Sequence, residues 1–238
     1  MALYFHIPDS ALGGIDEYTK LMLHMDGADD GTLFTDSSLS PHTINRYNAL
    51  TKTGTKKFGT AAGYFDGSGD LLTVPDSDDW NFGSGDFTID LWFNFNSIGP
   101  AYTLCSQYRA GSASYWPTSS FQFLYNGTIF FFSAVTGSSE VGLIGESYTP
   151  TVGVWYHIAI TRSGNDWRMF INGTQLGSTV VNSLTINNST YELFIGARYY
   201  SQVGNDQFLN GYIDELRISK GIARWTSNFT PESGPYTE

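Results

Sequence analysis

The segment Asp86 to Phe95 alternates without a break, with Phe87, Ile89, Leu91 and Phe93 on one face and Thr88, Asp90, Trp92 and Asn94 on the other. A period of two belongs to a β-strand; a helical period of about 3.6 would scatter these apolar residues around the axis. Val154 to Arg162 repeats the pattern, setting Trp155, His157, Ala159 and Thr161 against Val154, Tyr156, Ile158 and Ile160. Its apolar residues fall on both sides, so both faces are expected to be partly covered. Two Asn-Gly pairs suit type I′ turns, which need positive φ at both central residues. Asn126-Gly127 is expected to join Phe121–Tyr125 to Thr128–Ser133, and Asn172-Gly173 to join Trp167–Ile171 to Thr174–Thr179.

Turn residues recur about every ten positions from Lys20 onward, few segments hold a helical period, and hairpins outnumber plausible crossovers. These features predict an all-β, two-sheet antiparallel sandwich or jelly roll and exclude an α/β fold. No fixed-period repeat is visible, so the 238 residues are read as one domain over 18–238 preceded by an N-terminal arm over 1–17. At this length roughly 70% of the unfolded surface can be buried without covalent staples. The single Cys105 can form no internal disulfide and is expected to be a small buried residue in a strand over Tyr102–Gln107.

Twelve Lys and Arg against 23 Asp and Glu leave a net charge of −11. That balance disfavours nucleic-acid backbones and anionic membrane surfaces, which require basic patches. Met1 to Gly14 carries no cationic leader, and no apolar run approaches about 20 residues, so neither a signal peptide nor membrane insertion is expected.

Several ordered segments resemble the laminin-G-like, concanavalin A-like family common in bacterial surface proteins and phage structural proteins. They are Leu21 to Gly27, Gly63 to Pro75, Phe82 to Phe93, Val154 to Ala159, Met169 to Gly173 and Gly211 to Ser219. The resemblance implies a concanavalin A-like jelly roll that recognises glycans or proteins, often with bound calcium shared between an early loop and the last strand. On that pattern Asp26 and Asp36 in the first loop and Asp214 in the final strand are the candidate calcium ligands, as carboxylates suit a hard cation. The alternative is that Asp66, Asp70, Asp76, Asp78 and Asp79 simply cap turns by bonding their own backbone. The spacing from Asp26 to Asp36 is not that of an EF-hand.

A sugar site needs flat aromatic surfaces and polar groups. Tyr108, Tyr115 and Trp116 lie in one aromatic loop segment, and Arg198, Tyr199, Tyr200 and Asn205 in another. Loops at sandwich ends commonly carry recognition, although Trp116 and Tyr199 could equally fold back as packing. Catalysis is not expected. Glycosidases of this architecture use two carboxylates, and their Glu-x-Asp-x-x-Glu strand is missing. Asp90 lacks a partner, and Asp214-Glu215 should point to opposite faces. His157 is read as a hydrogen-bonded sheet residue.

The expectation is therefore a non-catalytic recognition or adhesion module for cell-surface carbohydrate or protein, placed at a virion surface or outside the cell. The rival expectation is a structural decoration or assembly protein, contacting its own copies or other virion proteins. A glycoside hydrolase comes third.

Overall fold

The computed structural model of the protein describes residues 14–110, 112–200 and 204–237, apart from the side chains of Ala110, Ala113 and Asn205. The larger of two antiparallel sheets runs in the order Thr174–Val181, Asp166–Ile171, Tyr156–Ser163, Phe87–Phe95, Asn210–Lys220, Ala62–Asp66, Leu50–Lys52, with Thr19–Leu23 also paired to Asn210–Lys220. The facing sheet runs Ser139–Ser147, Ile129–Thr136, Phe121–Tyr125, Tyr102–Ser106, Leu193–Ile195, Leu71–Val74, Asn45–Tyr47. This is the expected jelly-roll sandwich. Among the described residues no helix is long and apolar enough to cross a membrane.

The inner faces form one aromatic core, as the alternation requires. Phe87, Phe93 and Phe95 meet Phe132, Phe130 and Tyr125 at ring-centroid distances of 6.0, 5.2 and 5.4 Å. Each such ring contributes about 1.5–3 kcal/mol by leaving water. Cys105 is fully buried in the strand Tyr102–Ser106, and burial pushes its thiol well above the ordinary range, so it is not a nucleophile.

Asn172 and Gly173 take φ values of 49° and 77°, giving the expected turn between Asp166–Ile171 and Thr174–Val181. At Asn126-Gly127 only the glycine has positive φ. The Asn126 Oδ1 accepts the N–H groups of Thr128 and Ile129, so this link is a longer loop capped by a side chain and not a type I′ turn.

All nine residues of Phe87–Phe95 are buried, including the outward set Thr88, Asp90, Trp92 and Asn94. Lys57 and Phe58 lie against Trp92, and the rest of the cause lies at the other end of the chain. Residues 221–237 cross the outer face of the large sheet as a strap. Trp225 and Phe229 stack at 3.9 Å and pack on Ala159 and Phe170, and the Phe229 N–H donates to the Gly173 carbonyl. Of the arm expected over 1–17, residues 1–13 lie outside the described residues. Residues 15 and 16 belong to the domain: Ile15 packs with Met22 and Tyr236, and Asp16 pairs with Arg224 at 2.7 Å. Within the expected arm, Ile15 and Asp16 thus help to hold the C-terminal strap on the sheet.

Candidate functional site

The two aromatic segments singled out from the sequence meet. Arg109–Ala110, Arg198–Tyr200 and Gly204–Asp206 form a small third sheet, in which Tyr199 lies beside Arg109 and Tyr200 beside Ala110 in a parallel pair. Alternation then sorts the side chains. Tyr108, one residue before Arg109, turns inward: it is 5% exposed, and its hydroxyl donates to Glu140 at 2.7 Å. Glu140 also accepts from Gln122 and Ser133, making a polar floor beneath the small sheet. Arg198 donates to Gln122 and pairs with Asp206 at 2.9 Å, while Trp116 and Tyr200 pack against Tyr108 and Val135. Four of the expected ligand residues, Tyr108, Trp116, Arg198 and Tyr200, thus pack or hydrogen-bond against the sandwich. Asn205 pairs with Tyr199 through its backbone, and its side chain lies outside the described residues.

Arg109 and Tyr199 point the other way. The guanidinium carbon of Arg109 lies 4.1 Å from the Tyr199 ring centroid, 4.2 Å from Tyr191 and 4.9 Å from Tyr115. Arg109 lines an open cleft of about 260 Å³ with Thr190, Tyr191, Glu192, Phe194 and Tyr199. Its walls are braced. Thr118 Oγ1 lies within hydrogen-bonding distance of the Tyr115 carbonyl and the Tyr191 hydroxyl, Ser119 Oγ donates to the Tyr115 carbonyl, and Gln107 donates to the Tyr191 carbonyl. Glu192 is oriented by Thr73, whose hydroxyl donates to it at 3.1 Å. Such a site offers ring faces, one cation and one carboxylate in a partly dry groove.

Sequence reasoning passed over Arg109, Tyr191 and Glu192. Arg109 stood inside a segment read for its aromatics, and Tyr191 and Glu192 lie in a polar linker whose position depends on the strand that follows. A wider cleft of about 410 Å³ between Asp66, Pro100, Gln207 and Asn210 is less suited. Its polar groups already serve the fold: Asp66 accepts the Ser68 N–H, Gln207 accepts from Thr103, and Asn210 donates to Ser97.

The expected calcium ligands Asp26, Asp36 and Asp214 each accept hydrogen bonds within the fold. Both Asp36 oxygens are occupied, Oδ1 by the N–H groups of Met22 and Ser38 and Oδ2 by Ser38 Oγ and the His42 N–H. Asp26 Oδ1 accepts from Thr60 and Ala61. Asp214 Oδ2 accepts the N–H groups of Lys57 and Phe58, leaving its buried Oδ1 without a partner. Among the described residues no three Asp, Glu, His or Cys side chains converge to hold a metal ion. Burial pushes the Asp214 carboxyl up to about 8, with the nearby Glu215 charge adding to the rise.

Asp90 is sealed. Its oxygens take the Arg217 guanidinium at 3.0 and 3.3 Å and the Tyr236 hydroxyl at 2.6 Å, with His157 Nε2 at 3.4 Å. Burial alone would raise its pKa, but the Arg217 charge, with His157 and Tyr236, lowers it to about 2. A glycosidase acid must face solvent and hold a proton, and Asp90 does neither. Asp214 and Glu215 depart from the expected opposite faces. A bulge between Asp214 and Arg217, with Glu215 at φ 48°, brings the Glu215 carboxylate to the outer side, where it meets His24 and the Tyr236 N–H. Glu215 is 1% exposed, so this neighbour supplies no open catalytic pair either.

The family model described as the concanavalin A-like lectin/glucanases superfamily matches residues 66–224. No curated protein sequence matches the chain. Solved structures of similar fold include the botulinum neurotoxin serotype G binding domain, at 15% identity and TM-score 0.62 over 86% of this chain and 48% of that one. The binding domain of paraclostridial mosquitocidal protein 1 aligns at 16% identity and TM-score 0.64 over 87% and 50%. The botulinum neurotoxin DC binding domain in complex with SialylT aligns at 17% identity and TM-score 0.61 over 87% and 49%. The chain spans about half the length of these structures, and at such identities the likeness is one of fold.

Proposed function

The chain belongs to the concanavalin A-like lectin/glucanases superfamily, and from that premise we propose that it is a non-catalytic carbohydrate-recognition module whose site is the tyrosine-lined cleft around Arg109. The observation that carries this reading is the meeting of Arg109, Tyr191 and Tyr199 in one open, braced cleft, with the Tyr115 ring also against Arg109. Tyrosine faces cover the apolar side of a sugar ring, while a guanidinium and a carboxylate serve its polar groups. The sealing of Asp90 supports a role in binding and not in hydrolysis. The neurotoxin and mosquitocidal neighbours are themselves titled binding domains, which agrees with this reading.

On this reading the module works at a virion surface or outside the cell, with its cleft turned towards a cell-surface glycan. The resemblance to phage structural and bacterial surface proteins supports that placement, and detecting the chain in purified particles by mass spectrometry tests it. The function itself is tested on a glycan array. Wild-type protein is expected to bind a defined set of sugars, and Tyr199→Ala to lose at least about tenfold in affinity, in line with roughly 1–3 kcal/mol for a stacking aromatic. Tyr199 is only partly buried, so its loss should leave the fold intact. A blank array for wild-type protein overturns the reading in favour of a structural assembly role.

A further inference from the structure

We infer that the cleft selects a saccharide ending in a carboxylate-bearing sugar, whose acid group is held by Arg109; this rests on the carbohydrate reading above and narrows it. The starting point is how the arginines are used. Arg168, Arg198, Arg217 and Arg224 each face a carboxylate, on Asp166, Asp206, Asp90 and Asp16 respectively. Arg46 and Arg162 reach main-chain carbonyls. Arg109 meets neither among the described residues. Its company is the three tyrosine rings and the phenol oxygens of Tyr191 and Tyr199.

Three rings around the guanidinium, with two phenol oxygens beside its N–H groups, leave part of its five-donor edge to bond in the plane. That edge matches a planar carboxylate, which can accept two parallel bonds. A neutral sugar would leave the charge of Arg109 unanswered, whereas an acidic one completes it in the way Asp90 completes Arg217.

The surroundings limit the ligand to one charge. Glu192 lines the same cleft, and the protein carries a net charge of −11, so a sulfated or phosphorylated polyanion is repelled. Held by Thr73, Glu192 is suited to accept hydroxyl or amide N–H groups on the same sugar. The volume of about 260 Å³ lies below the usual ~300–1,000 Å³ range for small-molecule pockets, which suits a terminal unit and not a long chain.

The test compares paired probes by calorimetry at physiological salt: sialyllactose and galacturonic acid, each with one carboxylate, their methyl esters, and lactose. At least one acid is expected to bind about tenfold or more tightly than its own ester, as one charge-assisted contact implies. Arg109→Met should abolish that difference while keeping the melting temperature, because no ion pair is lost. Arg109→Lys should retain part of it. Equal binding of acid and ester, unchanged in Arg109→Met, overturns the acidic inference and leaves the carbohydrate reading standing. If neither these probes nor a broad neutral array binds, the carbohydrate reading falls as well.

Discussion

Arg217 and Arg109 are both arginines against aromatic rings, yet the protein uses them in opposite ways. Arg217 is fully buried, lies 3.9 Å from the Tyr236 ring centroid and is neutralised by Asp90. Arg109 is partly exposed among three tyrosine rings, with no carboxylate of the described residues against it. The first pair closes a gap in the fold. The outer face of the large sheet carries polar residues, and the strap can bury them only because charge, hydrogen bonds and rings answer one another there. The second leaves its valence open at an edge where solvent and ligand can reach it. Within one chain, a guanidinium answered by a carboxylate seals the fold, and one held among tyrosines is the residue on which the proposed recognition turns.

The comparison breaks most readily at the buried end. Arg217→Met strands the Asp90 carboxylate without a countercharge, and urea denaturation should show a loss of about 3–5 kcal/mol; a loss under about 1 kcal/mol would mean that the pair is not structural. Acid gives the next largest effect. The folded pKa of Asp90, about 2, lies below its ordinary value of 3.8. Its contribution is therefore present above about pH 4 and is lost as pH falls towards 2, on the order of 2 kcal/mol. Melting temperature should drop across that window, and Asp90→Asn should flatten the drop from a lower starting stability.

Asp214 has the opposite sign. Its folded pKa, about 8, lies above the unfolded 3.8, so the unfolded chain releases its proton first. Stability due to this group declines as pH rises from about 4 to 8 and levels off beyond. Asp214→Asn keeps an oxygen for the Lys57 and Phe58 N–H groups and should be more stable than wild type at pH 8, by on the order of 1 kcal/mol or more, with little difference at pH 4. The smallest expected effect concerns calcium. Because the Asp36 oxygens are already occupied by backbone and side-chain donors, calcium and chelator should give the same melting temperature. A rise with calcium would place an ion at the free oxygen of Asp214 after all.

Much of the fold was legible in the sequence because strand patterning is local. The alternation of Phe87 to Phe95 places the core face of a central strand, and Asn172-Gly173 marks its turn through the φ values that this pair tolerates. The strand Ser139–Ser147 escaped notice, since it mixes Gly, Glu and Ser along an exposed edge. The site was half legible. Tyr115 and Tyr199 were found as aromatics in loop segments, but Tyr108, Trp116, Arg198 and Tyr200 were indistinguishable from them in sequence. Which of these residues faces the cleft depends on a parallel pairing between two short segments far apart in the chain.

The sequence by itself determined an all-β sandwich with an aromatic core and, through its acidic balance, disfavoured nucleic acid as a partner. Period and composition carry that information without knowledge of distant contacts. Only the tertiary structure decided that Asp90 is sealed beneath a C-terminal strap, that Asp26, Asp36 and Asp214 each accept hydrogen bonds from different segments, and that Arg109 stands among tyrosines. Each of these depends on which remote donor or carboxylate arrives within hydrogen-bonding distance, and packing settles that where local patterning cannot.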